Sequence, residues 1–154
     1  MRRASLSLVL LVFGCSRLSV LTPDSLNAAQ KQWESSGASN YRMVVETKGD
    51  RFDPSQYEVT VRAKEVVKLL RNGQLVRPGG GGEDYSVDGL FHVLDQELDL
   101  KQNPEKLGAP PGYASYPMAD FDPATGRLLR YQRSVGGTKN SIEIIVKEFE
   151  VLSE

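Results

Sequence analysis

Tyr57-Glu58-Val59-Thr60-Val61-Arg62-Ala63-Lys64-Glu65 decides the fold. Tyr57, Val59 and Val61 alternate with Glu58, Thr60 and Arg62, the period-2 pattern of a strand with one buried and one solvated face. Ala63-Lys64 reads as a tight turn into a second strand over Glu65–Arg71. Asn72-Gly73 then gives the type I′ hairpin signal, leading into 74–77. Consecutive strands joined by two-residue turns pair antiparallel, so this stretch predicts a meander with one apolar face.

The pattern extends in both directions. Upstream, 41–48 alternates as another strand, with Tyr41, Met43 and Val45 on one side and Arg42, Val44 and Glu46 on the other. Gly49-Asp50 and Asp53-Pro54 punctuate a loop between the two. Before it, Thr22-Pro23-Asp24 starts a helix: Thr can cap, Pro suits the first helical position, and Asp suits the positive end of the dipole. Leu26, Ala29 and Trp33 form its apolar stripe, Trp33 reads as the anchor onto a sheet, and Ser35-Ser36-Gly37 ends it.

Downstream, Pro78 and the glycines at 79–82 break the chain. Glu83 and Asp84 follow them and would repel a phosphate, so the tract reads as a linker. Ser86 caps a second helix whose buried stripe is Val87, Leu90, Phe91, Leu94 and Leu98. A Pro/Gly-rich connection over 103–112 leads to a strand over 113–122, with Pro117 at an edge or bulge. A turn at Asp122-Pro123-Ala124-Thr125-Gly126 returns the chain through 127–134, and Gly136-Gly137 turns it into a last strand over 141–152. The alternation of that strand slips between Val146 and Phe149, which predicts a bulge near Lys147. The expected fold is α+β: one domain over 22–154, an antiparallel sheet of about six strands, and two helices packed on one face.

The first 21 residues read differently. Arg2 and Arg3 give a positive start, Leu6 to Phe13 an apolar run, and Gly14 the small residue before a cut. The run is far short of the roughly 20 apolar residues that span a bilayer. Cys15, the only cysteine, follows at once, as in the bacterial lipobox, and is the expected lipidation site for a thioether-linked diacylglycerol of the palmitate type. Residues 1–14 are then a lipoprotein signal peptide, and 15–21 a short tether reaching about 20 Å at ~3.3–3.6 Å per residue. Leu18, Val20 and Leu21 make the tether more apolar than a flexible arm.

Composition narrows the function classes. Cutting after Gly14 leaves 140 residues with 17 basic and 20 acidic side chains, a net charge of −3. That is long enough for a core of its own. No basic patch suits nucleic acid. With Cys15 lipidated, no thiol is left for a disulfide, a zinc site or a nucleophile.

Two constellations carry possible chemistry. Asp88, His92, Asp95 and Asp99 lie along the polar side of the second helix, where carboxylates and an imidazole can hold a divalent ion; the same spacing is that of a solvated helix face, and that is the reading taken. Asp120-Phe121-Asp122 places two carboxylates on one side of a strand, but turn chemistry explains Asp122-Pro123 and Gly126, and the calcium-loop pattern fails at Ala124 and Tyr131. Tyr113, Tyr116 and Tyr131 cluster near this hairpin, as a contact surface or as strand formers. His92 is the only histidine and no Gly-x-Ser-x-Gly elbow is present, so no catalytic residues, cofactor or metal ligands are assigned.

In order, Trp33, Tyr41-Arg42, Val59-Thr60-Val61, Asn72-Gly73, Gly89-Leu90-Phe91, Tyr116-Pro117 and Asp120 resemble an uncharacterised family of bacterial envelope lipoproteins with a domain of unknown function. The resemblance covers about residues 26–152 and implies location and fold, but no activity. Many such relatives carry a cysteine pair before the second strand, where this chain has Arg51-Phe52-Asp53-Pro54. The expected function is a lipid-anchored, non-enzymatic binding or adaptor module of the envelope, outside the cytoplasm, with an unidentified protein partner and no nucleic acid. A carrier of lipid or another apolar ligand is the alternative, and a hydrolase ranks third. On the leading reading, Arg42, Glu46, Glu58, Thr60 and Arg62 project from the sheet face away from the helices.

Overall fold

The described residues of the computed structural model are 17–77 and 84–153. The leader 1–14, Cys15 and the glycine tract 79–82 lie outside them. Helix α1 (Pro23–Ser36) begins where its caps dictate. The Thr22 hydroxyl accepts from the Ser25 backbone N–H, and the Ser25 hydroxyl accepts from that of Thr22, both at 3.1 Å. This reciprocal pair satisfies two of the donors a helix start leaves orphaned. Helix α2 (Val87–Gln102) begins with a one-sided cap, the Ser86 hydroxyl accepting from Gly89 N–H at 3.0 Å.

The strands are β1 (Ser19–Val20), β2 (Tyr41–Gly49), β3 (Phe52–Arg62), β4 (Glu65–Arg71), β5 (Gln74–Leu75), β6 (Ser115–Phe121), β7 (Leu128–Val135) and β8 (Ile142–Val151). They form one antiparallel sheet in the order β1-β6-β7-β8-β2-β3-β4-β5. Each helix thus precedes a meander, and β8 pairing with β2 joins the two meanders. The sheet has eight strands where about six were expected. The count is raised by two short edge strands with exposed side chains: β1, too short to show an alternation, and β5, the far arm of the hairpin read at Asn72-Gly73.

Ala63 and Lys64 adopt φ of 50° and 66°, and Asn72 and Gly73 adopt 50° and 80°, the left-handed pairs of type I′ turns. The segment expected as a loop between β2 and β3 is instead mostly strand. Thr47 faces Ser55 and Gly49 faces Phe52, so Asp53 and Pro54 together oppose Lys48. A bulge leaves one residue unpaired, and proline, with no N–H to offer, is tolerated there. In β8, Val44 faces Glu148 and Val45 faces Val146, leaving Lys147 as the extra residue where the alternation slips. The bulge returns Phe149 to the face of Ile142, Ile144 and Val146.

Both helices pack on that face. Leu26, Ala29 and Trp33 of α1 and Val87, Leu90, Phe91, Leu94 and Leu98 of α2 join Tyr41, Met43, Val45, Val59, Val61 and Tyr131 in one core. Each large apolar side chain buried there contributes about 1.5–3 kcal/mol. Trp33 meets Tyr41 edge-on at 5.5 Å between ring centres, and Phe149 at 6.0 Å. Gly126, at φ 78°, lets the β6–β7 turn press against α1: a Cβ there would lie 2.3 Å from the Ala29 carbonyl oxygen. Among the described residues no helix is long and apolar enough to cross a membrane.

Candidate functional site

The core face of the sheet is not covered to its end. Beyond the reach of α2, the floor made by β8, β2, β3 and β4 opens into a cleft of about 280 Å³. Strand register selects the side chains of this floor. Ile142 and Ile144 come from β8, Thr47 from β2, Ser55 and Tyr57 from β3, and Arg71 from β4 opposite Tyr57. Val93 of α2 closes one side, and Phe52, 42% exposed, stands at the rim.

Tyr85 forms the remaining wall, with its ring stacked on Tyr57 at 3.7 Å and 16°. Its φ of 54° lies in the left-handed region, which a bulky residue occupies only when its surroundings impose it. The neighbouring residues supply the constraint. The Asp84 carboxylate accepts from both the backbone N–H and the hydroxyl of Ser86, at 2.9 and 2.6 Å. The next residue, Val87, donates its N–H to the buried Tyr41 hydroxyl at 3.1 Å. Burial beneath the helix start raises the Tyr41 phenol well above its ordinary range. Gly89 makes room for this arrangement, because a Cβ there would come within 2.1 Å of the Asp84 carboxylate.

Three polar side chains cross the apolar floor in a row. Thr47 sits opposite Ser55 in the β2–β3 register, and the Ser55 hydroxyl accepts from Arg71 Nη2 at 3.2 Å. The Arg71 guanidinium also lies 5.9 Å from the centre of the Tyr57 ring. An apolar pocket with a few convergent polar groups is the usual form of a small-ligand site. The sequence reading missed it, although one signal was available: the alternation that puts Tyr57, Val59 and Leu69 in the core also puts Ser55 and Arg71 on that face.

The residues singled out from the sequence fall elsewhere. Asp88, His92 and Asp95 border an open groove between the helices, together with Gln30, Trp33 and Glu34. Partial burial raises the Asp88 carboxyl despite its bond from Trp33, and the His92 ring meets Gln96 at 3.1 Å. Among the described residues no three His, Cys, Asp or Glu side chains are placed to hold a metal ion. Asp120 and Asp122 do not act as a pair: Asp122 caps the turn, accepting from Ala124 N–H at 2.8 Å and meeting Arg127 at 3.3 Å. The tyrosines also separate, with Tyr131 fully buried and Tyr113 and Tyr116 exposed.

The sheet face opposite the helices carries Arg42, Glu46, Glu58, Thr60 and Arg62. Part of its charge is paired within the chain. Arg42 meets Glu58 at 3.1 Å, while Glu143 takes both Lys48 at 2.6 Å and Arg130 Nε at 2.7 Å. Burial alone would raise the Glu143 carboxyl, but the bonds and charges of Lys48 and Arg130 outweigh it and hold it below the usual range. A carboxyl depressed in the folded state stabilises the fold above its unfolded value of about 4.3 and loses that contribution as pH falls through the folded value. Glu143→Gln should therefore lower stability at pH 7 and flatten the acid limb of a urea-midpoint-against-pH curve. An unchanged acid limb would show that the carboxylate is not held in this way.

No protein-family model matches this chain, and a search of curated proteins finds no match.

Proposed function

We propose that this protein is a non-enzymatic, ligand-binding lipoprotein of the cell envelope, held at a membrane outside the cytoplasm through Cys15, and that it carries a small apolar ligand in the cleft beside α2. The observation that supports this reading most is the cleft itself: a preformed 280 Å³ recess with Phe52, Tyr57, Tyr85, Val93, Ile142 and Ile144 around it. Leaving core-type side chains uncovered forgoes burial worth ~25 cal/mol per Å², a cost that an occupant recovers. The adaptor reading rests on the charged open face. Arg42–Glu58 and Lys48–Glu143 are already paired within the chain, so an incoming protein would have to compete for those charges, while Glu46 and Arg62 belong to neither pair. The lipoprotein reading draws on the leader pattern ending at Gly14-Cys15 and on the family resemblance.

The test uses residues 15–154 and an uncharged naphthylamine dye that fluoresces in apolar surroundings. Wild type should bind the dye one-to-one. Val93→Trp fills the cleft from α2 and should weaken binding at least about tenfold, the value of roughly one buried aromatic contact. Absence of dye binding by wild type, or equal binding by a folded Val93→Trp variant, would remove the cleft as a site. In cells, Cys15→Ser should abolish incorporation of labelled fatty acid and release the protein from membranes. Retained label and attachment would overturn the anchor.

A further inference from the structure

We propose that the ligand is a short acyl chain bearing one anionic head group, seated with the head on Thr47, Ser55 and Arg71. This rests on the cleft being a ligand site. Two independent observations set the class. The first is Arg71: its guanidinium touches only the Ser55 hydroxyl and the Tyr57 ring, and it pairs with no carboxylate among the described residues. Arg42, Arg127, Arg130 and Arg133 each have such a partner, and Arg51 and Arg62 donate to backbone carbonyls, whereas Arg71, exposed at the end of β4, is the one that lines the cleft. Guanidinium offers five donors in a planar fork, and the Ser55 contacts leave Nη1 uncommitted. A carboxylate or phosphate matches that fork bidentately.

The second observation is Thr47. It is 95% buried and lines the cleft opposite Ser55, which puts a second hydroxyl-bearing residue beside the Ser55–Arg71 contact. Through Ser55, Thr47 and Arg71 belong to one polar row across β2, β3 and β4. The head group therefore lies at the strand ends near the mouth, and the chain runs along Ile142, Ile144 and Val93. The 280 Å³ volume holds about nine groups of water size at ~30 Å³ each, which suits an acyl chain of roughly eight to ten carbons.

Calorimetry with decanoate and decanol, which share a chain and differ in the head, tests the charge. Decanoate should bind wild type about tenfold more tightly than decanol, as expected for charged hydrogen bonds. Arg71→Gln should remove that preference, bringing the decanoate-to-decanol affinity ratio to about one, and Thr47→Val should reduce it in part. Decyl phosphate distinguishes the head: tighter binding than decanoate assigns a phosphate, weaker binding a carboxylate. Equal affinity for decanoate and decanol in wild type, or a preference that survives Arg71→Gln, overturns the anionic class while dye binding still supports the cleft. If neither dye nor either C10 ligand binds, the cleft reading fails and this inference with it.

Discussion

Glu97→Ala should destabilise the protein by about 3–5 kcal/mol, a large share of the ~5–15 kcal/mol that holds a domain of this size together. Glu97 is 6% exposed on α2 and receives Arg133 Nη1 on both oxygens, at 2.8 and 2.9 Å. The Tyr131 hydroxyl donates to it at 2.8 Å. Arg133, also 6% exposed, passes its Nη2 to Asn140 at 3.0 Å, and Asn140 donates to the Leu107 carbonyl at 2.8 Å. The chain of bonds ties α2, β7 and the loop before β6 to one another. Burial and the Glu97 charge push the Tyr131 phenol far above its ordinary range.

Removing Glu97 strands the Arg133 cation in the core, where desolvation is not compensated. Glu97→Leu combined with Arg133→Met removes both charges and should recover most of the loss. Urea unfolding of wild type and both variants at pH 7 measures this. A single-variant loss under about 1 kcal/mol would show that water reaches the pair, as it does at exposed salt bridges.

Leu21→Ala should cost about 2–5 kcal/mol, the range for emptying a buried leucine site. Leu21 is fully buried among α1, α2 and the sheet, and its N–H donates to the Pro117 carbonyl at 2.9 Å. Val20, one residue earlier, is 58% exposed, and Val20→Ala should stay within about 0.5 kcal/mol. Thermal or urea unfolding of both variants separates the two positions. Equal, small effects would mean that residues 17–21 act only as a tether, as their sequence suggests.

The reason Leu21 reads as tether and folds as core lies in where information sits along the chain. Helix ends are local: Thr22, Gly37 and Ser86 set them through bonds within three or four residues. The type I′ turns at Ala63-Lys64 and Asn72-Gly73, the inward set Tyr57, Val59 and Val61, and the slip at Lys147 are also local. These made an α+β fold with an antiparallel sheet legible from the sequence. A two-residue strand such as β1 exists only because β6, about 100 residues later, offers it an edge. The β2–β8 pairing is equally remote and leaves no mark in either strand's own pattern.

The site divides the same way. Alternation by itself places Arg71 on the helix-covered face, but sequence cannot distinguish a core arginine that meets an acid from one that faces a cavity. Arg133 stands on the same face and finds Glu97, because α2 extends over β7. Arg71 stands beyond the helix, over Tyr57 and beside Ser55, and the cleft opens there. The local sequence determined which side chains face inward, and the position of α2 on the sheet decided which of them it covers.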